Sequence, residues 1–467
     1  MIKLINSFNK STKILKTQSI IKPLSSTLEI LIAISIWSVI RVNFELYEPL
    51  RTGKFLFLGW STTGVCAVFL LLLFIQRKMH FTYLSLVLFL FAAYVFIRGK
   101  KGGIWHDEKF LYLIASFIIF LAVSQIIAFR EKRTAQNLPF ILLSILIAGG
   151  YQAILGLFQL YGLENSYHGG FNITGTFFNP APYAGFLTAV FPIALYQLLV
   201  LPKKTPKDLV SIWIRYHRLS KRSNLLNRDK QKTPVAKLYW NGLRNSCFFC
   251  QSKLFYHYLL RLLSWMVVVS ILLVLPPAMN RASWLGVLAA AVFILWSGGW
   301  LNPMKEHFSS RLHKGLLYVL LLLIITGSAA GVFYVKKDSA SGRLLIWKIA
   351  WQKAWEKPLT GHGFNTFMAD YPEAQSAYFA EGKGTETEKM LAGNVKWVFN
   401  EVLQLFFEAG LIGILLFFLM LYIVFWGKRP IAHKKNETRA FQASLLGVLI
   451  FGLYSYAFYS APVCVLF

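Results

Sequence analysis

The sequence predicts an all-α, polytopic integral membrane protein with about 11 to 12 transmembrane helices and one large extracytoplasmic loop. Three observations carry this. Hydrophobic residues make up 56% of the chain and the mean hydropathy is +0.52, well beyond a soluble domain. Apolar runs of spanning length recur from end to end, among them Phe55–Ile75, Leu111–Phe129, Leu138–Leu160, Trp284–Trp300 and Leu316–Val335. Lys and Arg, which give a net charge of +29, fall on alternate loops.

Taken in order, the Lys-bearing stretch Met1–Ser26 leads into the mostly apolar Leu28–Ile40 without a small-residue cleavage site, so the first segment stays as a helix. With the N-terminus inside, the cytoplasmic segments are Met1–Lys22, Gln76–His80, Arg130–Asn137, Pro202–His257, Leu301–Lys314 and Gly427–Arg439. These hold most of the basic residues, and Pro202–His257 alone carries thirteen against Asp208 and Asp229. One outer connection breaks the rule, with Arg98, Lys100, Lys101 and Lys109. The charge is explained by membrane topology, and no nucleic-acid partner is expected.

The four cysteines, Cys66, Cys247, Cys250 and Cys464, give no disulfide framework. Cys247 and Cys250 have C-x-x-C spacing, but a zinc site needs four ligands and only His257 is near, so a reduced cytoplasmic pair is expected.

Two connections are long. The basic inner loop, residues 202–257, suits adhesion to anionic lipid headgroups. The outer segment, residues 336–396, is balanced in charge and rich in aromatics, as a folded site would be. The rest of the chain reads as a single transmembrane helical domain. Within the outer segment Ser341–Lys357 predicts a helix, capped by Ser341 and stopped by Pro358, with Arg343, Trp347, Trp351 and Trp355 on one drifting stripe. That stripe suits either the membrane interface or packing against the bundle.

Three constellations could carry chemistry. In Gly175–Gly185, Asn179 suits a helix N-cap and Pro180 a first turn, so the free amides would face an anion; a plain membrane-entry turn is the alternative. In the outer hairpin Met279–Trp284, Arg281 stands at the membrane boundary, where it either snorkels or binds phosphate. Where the outer segment re-enters the membrane, Asn400, Glu401, Gln404 and Glu408 make a polar face inside an apolar helix. Such a face turns inward, to serve either function or an internal hydrogen-bond network.

These segments resemble the O-antigen ligase and polymerase-like membrane proteins, a family that includes lipopolysaccharide O-antigen ligases and protein O-oligosaccharyltransferases. The resemblance runs from about Leu138 onward and rests on the order of the Gly175–Pro180 segment, the Arg281 hairpin, Ser341–Trp347, Pro358–Gly363 and Asn400–Gly413. It implies a metal-independent glycosyltransferase of the bacterial inner membrane, working on its periplasmic face without a cofactor. The donor would be an undecaprenyl-pyrophosphate-linked glycan and the acceptor lipid A core, another glycan chain or a protein. Arg281 and Arg343 match the pair that grips the donor pyrophosphate. Thr176, Asn179, Pro180, Trp347, Tyr371, Asn400 and Gln404 are the expected substrate-binding residues.

The family commonly has a histidine just before the Asn that matches Asn400, and this chain has Phe399. Glu401, then His362, are the candidates to activate the acceptor hydroxyl in its place. The chain ends at Phe467, where the family usually carries a further helix. A chain polymerase is the alternative within the enzyme class, and a transporter or flippase of lipid-linked sugars the alternative outside it.

Overall fold

The computed structural model describes residues 2–46, 48, 50–99, 108–131, 138–200, 258–300, 337–427, 435–459 and 463. The predicted span Leu316–Val335, the basic loop 202–257 and the Cys247/Cys250 pair lie outside the described residues. Every named element is helical, so the all-α prediction holds. Among the described residues six helices are long and apolar enough to cross a membrane: Ser19–Val39, Thr52–Gln76, Lys109–Ala128, Pro139–Leu160, Pro180–Val200 and Glu401–Trp426. Four shorter apolar helices join them: Tyr83–Arg98, Tyr258–Val274, Arg281–Ser297 and Thr438–Gly452. The chain is thus a polytopic α-helical membrane protein.

Two compact units are formed, one from residues 1–193 with 270–467 and one from residues 194–269. The first unit holds every feature discussed below. Its helix pairs close through small residues. A Cβ on Gly286 would fall 2.5 Å from the Gly447 carbonyl, and one on Gly185 would meet the Phe451 ring at 2.8 Å. Close backbone approach of this kind replaces the hydrophobic drive that lipid removes. At one end, Glu29, fully buried, accepts the Phe140 amide at 3.0 Å and so caps the Pro139–Leu160 helix.

The first helix begins earlier than the sequence suggested, running Ile2–Ile36 through Pro23. The helix expected over Ser341–Lys357 runs Lys337–Ala354, one turn earlier at both ends. After Ala354 the chain tightens, with Glu356 bonded to the Lys353 carbonyl and Lys357 to that of Ala354. Pro358 forces the residue before it out of the helical region, which is why the helix stops short.

The Glu401–Trp426 helix is interrupted at Gly410, which has φ 64° and ψ −165°. A break in a membrane helix orphans backbone groups that must find partners, since lipid offers none. Residues 358–363 supply them. His362 and Gly363 donate to the carbonyls of Phe407 and Glu408 at 2.9 and 3.0 Å, while Leu411 and Ile412 donate to those of Pro358 and Leu359 at 2.8 and 3.2 Å. Tyr94 takes the Ala409 carbonyl at 2.8 Å. Arg98 then holds the strap from behind, donating to the carbonyls of Thr360 at 3.1 Å and Gly361 at 2.7 Å. The positive-inside exception at Arg98 therefore has a physical reason, because its charge is spent on carbonyls.

Candidate active site

Contacts draw the chemistry-bearing segments to one end of the first unit. Thr176 lies against Val39, Arg98 against Thr360, Lys109 against Glu408, Arg343 against Tyr454, and Glu401 against Phe458. All sit at helix ends or in the connections between them.

Arg281 opens its helix. Asn280 caps it, its side chain accepting the Ser283 amide at 3.2 Å; Ser283 Oγ returns to the Asn280 carbonyl at 2.6 Å; and Trp284 Nε1 bonds the Leu275 carbonyl at 2.9 Å. The hairpin is thus fixed, and Gly286 seats the helix against Gly447. Arg343 comes from the Lys337–Ala354 helix. Its Nη1 donates to the Tyr454 carbonyl at 2.8 Å and its guanidinium lies 5.1 Å over the Phe399 ring. Burial, and then the nearby Arg281 charge, hold its proton affinity below the ordinary arginine value, with Tyr456 acting in the opposite direction. Among the described residues no carboxylate pairs with either arginine. Two guanidiniums that feel one another's charge, neither paired with a carboxylate among the described residues, would both be stabilised by an anion.

Trp397, Phe399 and Tyr456 form the aromatic side of this site. Trp397 stacks on Tyr456 at 4.3 Å, and Phe399 meets Tyr456 edge-on at 5.5 Å. Phe399 has a φ of 59°, a left-handed value uncommon for a non-glycine residue, at the turn that aims its ring at Arg343.

The other predicted residues fall into two groups. Asn179 and Pro180 behave as read: the helix starts at Pro180, and Asn179 Oδ1 accepts the Ala181 amide at 3.0 Å. Glu401 is the first residue of its helix, with Oε1 accepting the Phe458 amide at 2.8 Å. Polar atoms of the remainder are engaged within the protein. Asn400 caps the helix by accepting the Leu403 amide at 3.0 Å. Trp347 Nε1 bonds the Val398 carbonyl at 2.9 Å, while Trp351 and Trp355 pack on Phe406 and stay half exposed. Tyr371 is fully buried against Phe367, and burial pushes its hydroxyl up to about 12. His362 Nε2 is 2.7 Å from the Lys353 carbonyl, which makes it a donor, and the ring stacks on Phe407.

Gln404 and Glu408 realise the internal-network alternative. Gln404 accepts the Val398 amide at 3.0 Å and donates to Glu408 at 2.6 Å; Glu408, 1% exposed, pairs with Lys109 at 2.8 Å. Lys109 also bonds the Tyr459 hydroxyl at 2.8 Å. A buried ion pair is costly unless its remaining valences are met, and here they are.

Thr176 is buried. Its hydroxyl donates to the Val39 carbonyl at 2.6 Å and accepts from Gln152 at 2.7 Å. Gln159, seven residues after Gln152 on the same helix face, accepts the amides of Thr174 and Gly175 at 2.9 and 2.7 Å. Lys54, which the sequence reading passed over, closes this turn: its Nζ donates to the carbonyls of Thr176 at 2.8 Å and Arg41 at 3.2 Å. A lysine immediately before the apolar run Phe55–Ile75 was the available signal. Lys54→Met leaves the Thr176 carbonyl unsatisfied and should cost about 1 to 3 kcal/mol, read as a lower unfolding midpoint in detergent.

The fold and this end together define a polytopic helical membrane protein with two arginines, unpaired with any carboxylate among the described residues, near its helix ends. Residues 266–418, which contain both arginines, match the family model described as O-Antigen ligase. A segment of 161 residues is 30% identical to a protein from Rickettsia bellii (strain RML369-C) named "Putative polysaccharide ligase", covering 33% of this chain and 37% of that relative. The chain therefore spans just over a third of the relative it matches, and the resemblance read from the sequence is borne out over this segment.

Proposed function

We propose that this protein is a metal-independent glycosyltransferase that moves a glycan from an undecaprenyl-pyrophosphate donor to an acceptor, most closely O-antigen ligation to lipid A core on the periplasmic face of the inner membrane. The observation that carries the reading is that Arg281 and Arg343, neither paired with a carboxylate among the described residues, both lie inside the segment matched by the O-antigen ligase model. In the reaction the acceptor oxygen bonds to the anomeric carbon as the bond to the pyrophosphate oxygen breaks, and the electron pair leaves with the pyrophosphate. Guanidiniums placed where that charge develops lower the barrier. The acceptor proton passes to a base, for which Glu401 ranks first. His362 ranks second because its Nε2 already faces the Lys353 carbonyl.

Purified protein in detergent, given a lipid-pyrophosphate glycan and candidate acceptors in parallel, should form a glycosylated product. Product on lipid A core marks a ligase, on a second lipid-linked glycan a polymerase, and on protein an oligosaccharyltransferase; none with any acceptor leaves the transporter reading. In the same assay Glu401→Gln should lower the rate about 100-fold and His362→Ala less than about tenfold. Comparable loss in both would remove Glu401 from the role of base.

A further inference from the structure

One buried ion pair has so far been given no part in the chemistry. Lys109, the first residue of the Lys109–Ala128 helix, meets Glu408 at 2.8 Å, and their side chains are 12% and 1% exposed. Apolar residues of similar volume often replace such a pair at no cost in stability, so stability alone does not account for it. The Lys109 ammonium also donates to the Tyr459 hydroxyl at 2.8 Å and lies 4.2 Å from the centre of the Tyr459 ring and 4.6 Å from that of Phe364. It is therefore fixed in place by residues from three separate segments of the chain.

The place is next to Glu401. Glu401 Oε1 accepts the amide of Phe458 at 2.8 Å, and Lys109 bonds the side chain of the following residue, Tyr459. Both thus hold the same single turn of 3₁₀ helix, Ala457–Tyr459, from which the Tyr459 ring reaches Trp397 of the aromatic side of the candidate active site at 5.8 Å. Gly452 closes on the stem of Glu401, since a Cβ there would come 3.1 Å from Glu401 Cγ. Among the described residues the charges that act on Glu401 are Lys109 and, with the opposite sign, Glu408, two turns on along the same helix. A carboxylate accepts a proton only while it is ionised, and two carboxylates that feel one another resist being ionised together unless a cation serves both. Lys109 is that cation.

We propose that Lys109 is a positioning residue for the reaction, its ammonium, anchored on Glu408 and Tyr459, keeping Glu401 ionised and ready to take the acceptor proton. The proposal rests on the reading of Glu401 as the base. It gives the ion pair a use that apolar residues could not supply.

The protonation of Glu401 can be followed without transfer. In the full-length protein, purified in detergent, the carboxyl C=O infrared band that is missing from Glu401→Gln is titrated against pH. Lys109→Met should move the appearance of that band to higher pH by about one unit or more. Glu408→Gln keeps the shape of the side chain and leaves the ammonium uncancelled, so it should move the band to lower pH by about half a unit. Shifts of opposite sign are not what loosened packing produces, and Glu408→Gln carries the test by itself if Lys109→Met does not fold. A band that stays at its wild-type position in these variants overturns the proposal. In the transfer assay the acid limb of kcat/KM should follow the band, so that Lys109→Met is about tenfold slower at acid pH and within about threefold of wild type at alkaline pH. An equal loss of rate at every pH, with the band unmoved, would mark a merely structural lysine and also overturns it. A band that moves while the rate profile does not would overturn the base reading of Glu401 and leave the hold of Lys109 on its charge intact, so the two failures are separate results.

Discussion

Arg281→Ala and Arg343→Ala should each lower glycan transfer by about 100- to 1,000-fold while leaving the protein in the membrane at normal level. The size follows from what each side chain is asked to do. Removing one preorganised donor from a developing oxyanion costs about this much in acyl-transfer sites, and a departing pyrophosphate develops charge that these guanidiniums would meet in the same way. The fold should tolerate both changes. Arg281 makes no ion pair with a described residue, and its hairpin is held by Asn280, Ser283 and Trp284. Arg343 gives up one bond to the Tyr454 carbonyl and its packing on Phe399, roughly 1 to 2 kcal/mol. Relief of the repulsion between the two guanidiniums offsets part of that. Arg343→Lys separates charge from shape: an ammonium keeps the charge but loses the fork, so its rate should fall between wild type and Arg343→Ala. The double variant should be little slower than either single one, because residues acting as a unit are not additive. Transfer rates measured at saturating acceptor check all four, and near-normal rates in both single variants would remove the pyrophosphate assignment.

Arg281 could be singled out from the sequence because it is the one charge in a short hairpin between two apolar runs, whereas Arg343 lies among several lysines and was singled out by the family resemblance. The helical class and the starts at Pro180 and near Arg281 were legible for a similar reason, since caps and prolines act over a few residues. What the sequence hid were partnerships between distant positions. Glu408 and Gln404 announced an inward polar face, but the ion that satisfies it, Lys109, lies 299 residues away and looked like an orientation error. Lys54 meets Thr176 across 122 residues. Phe399 read as the loss of a histidine, whereas its ring lies under the Arg343 guanidinium. That turn presents an aromatic face to Arg343, and a phenyl ring cannot accept a proton, so the proposed base lies one residue on, at Glu401.

Gly410→Ala and Gly361→Ala should each destabilise the protein by roughly 3 kcal/mol or more, enough to abolish accumulation of folded protein. Gly410 has a φ of 64° with ψ at −165°, a combination nearly confined to glycine, which costs another residue about 1 to 3 kcal/mol. A Cβ there would also sit 2.5 Å from the Leu359 carbonyl carbon, and one on Gly361, whose φ is 65°, would overlap the Glu408 backbone. In each case the obstacle is main chain, so no rotamer change relieves it. Moving the strap aside to make room would orphan the amides of Leu411 and Ile412 and the carbonyls of Phe407 and Glu408, each with no water to replace its partner. Gly342→Ala is the control, because a Cβ at that helical position meets nothing within 4 Å and should be neutral or stabilising by up to about 1 kcal/mol. Unfolding midpoints in detergent for the three variants compare them directly. The break matters to the chemistry as well as to stability, because it turns the short Glu401–Ala409 segment off the rest of its helix. That turn is what lets Phe399, at the head of the segment, stand beside Arg343 while the following helix keeps to the bundle. A variant that folded with the break straightened would therefore be expected to lose transfer even with both arginines intact.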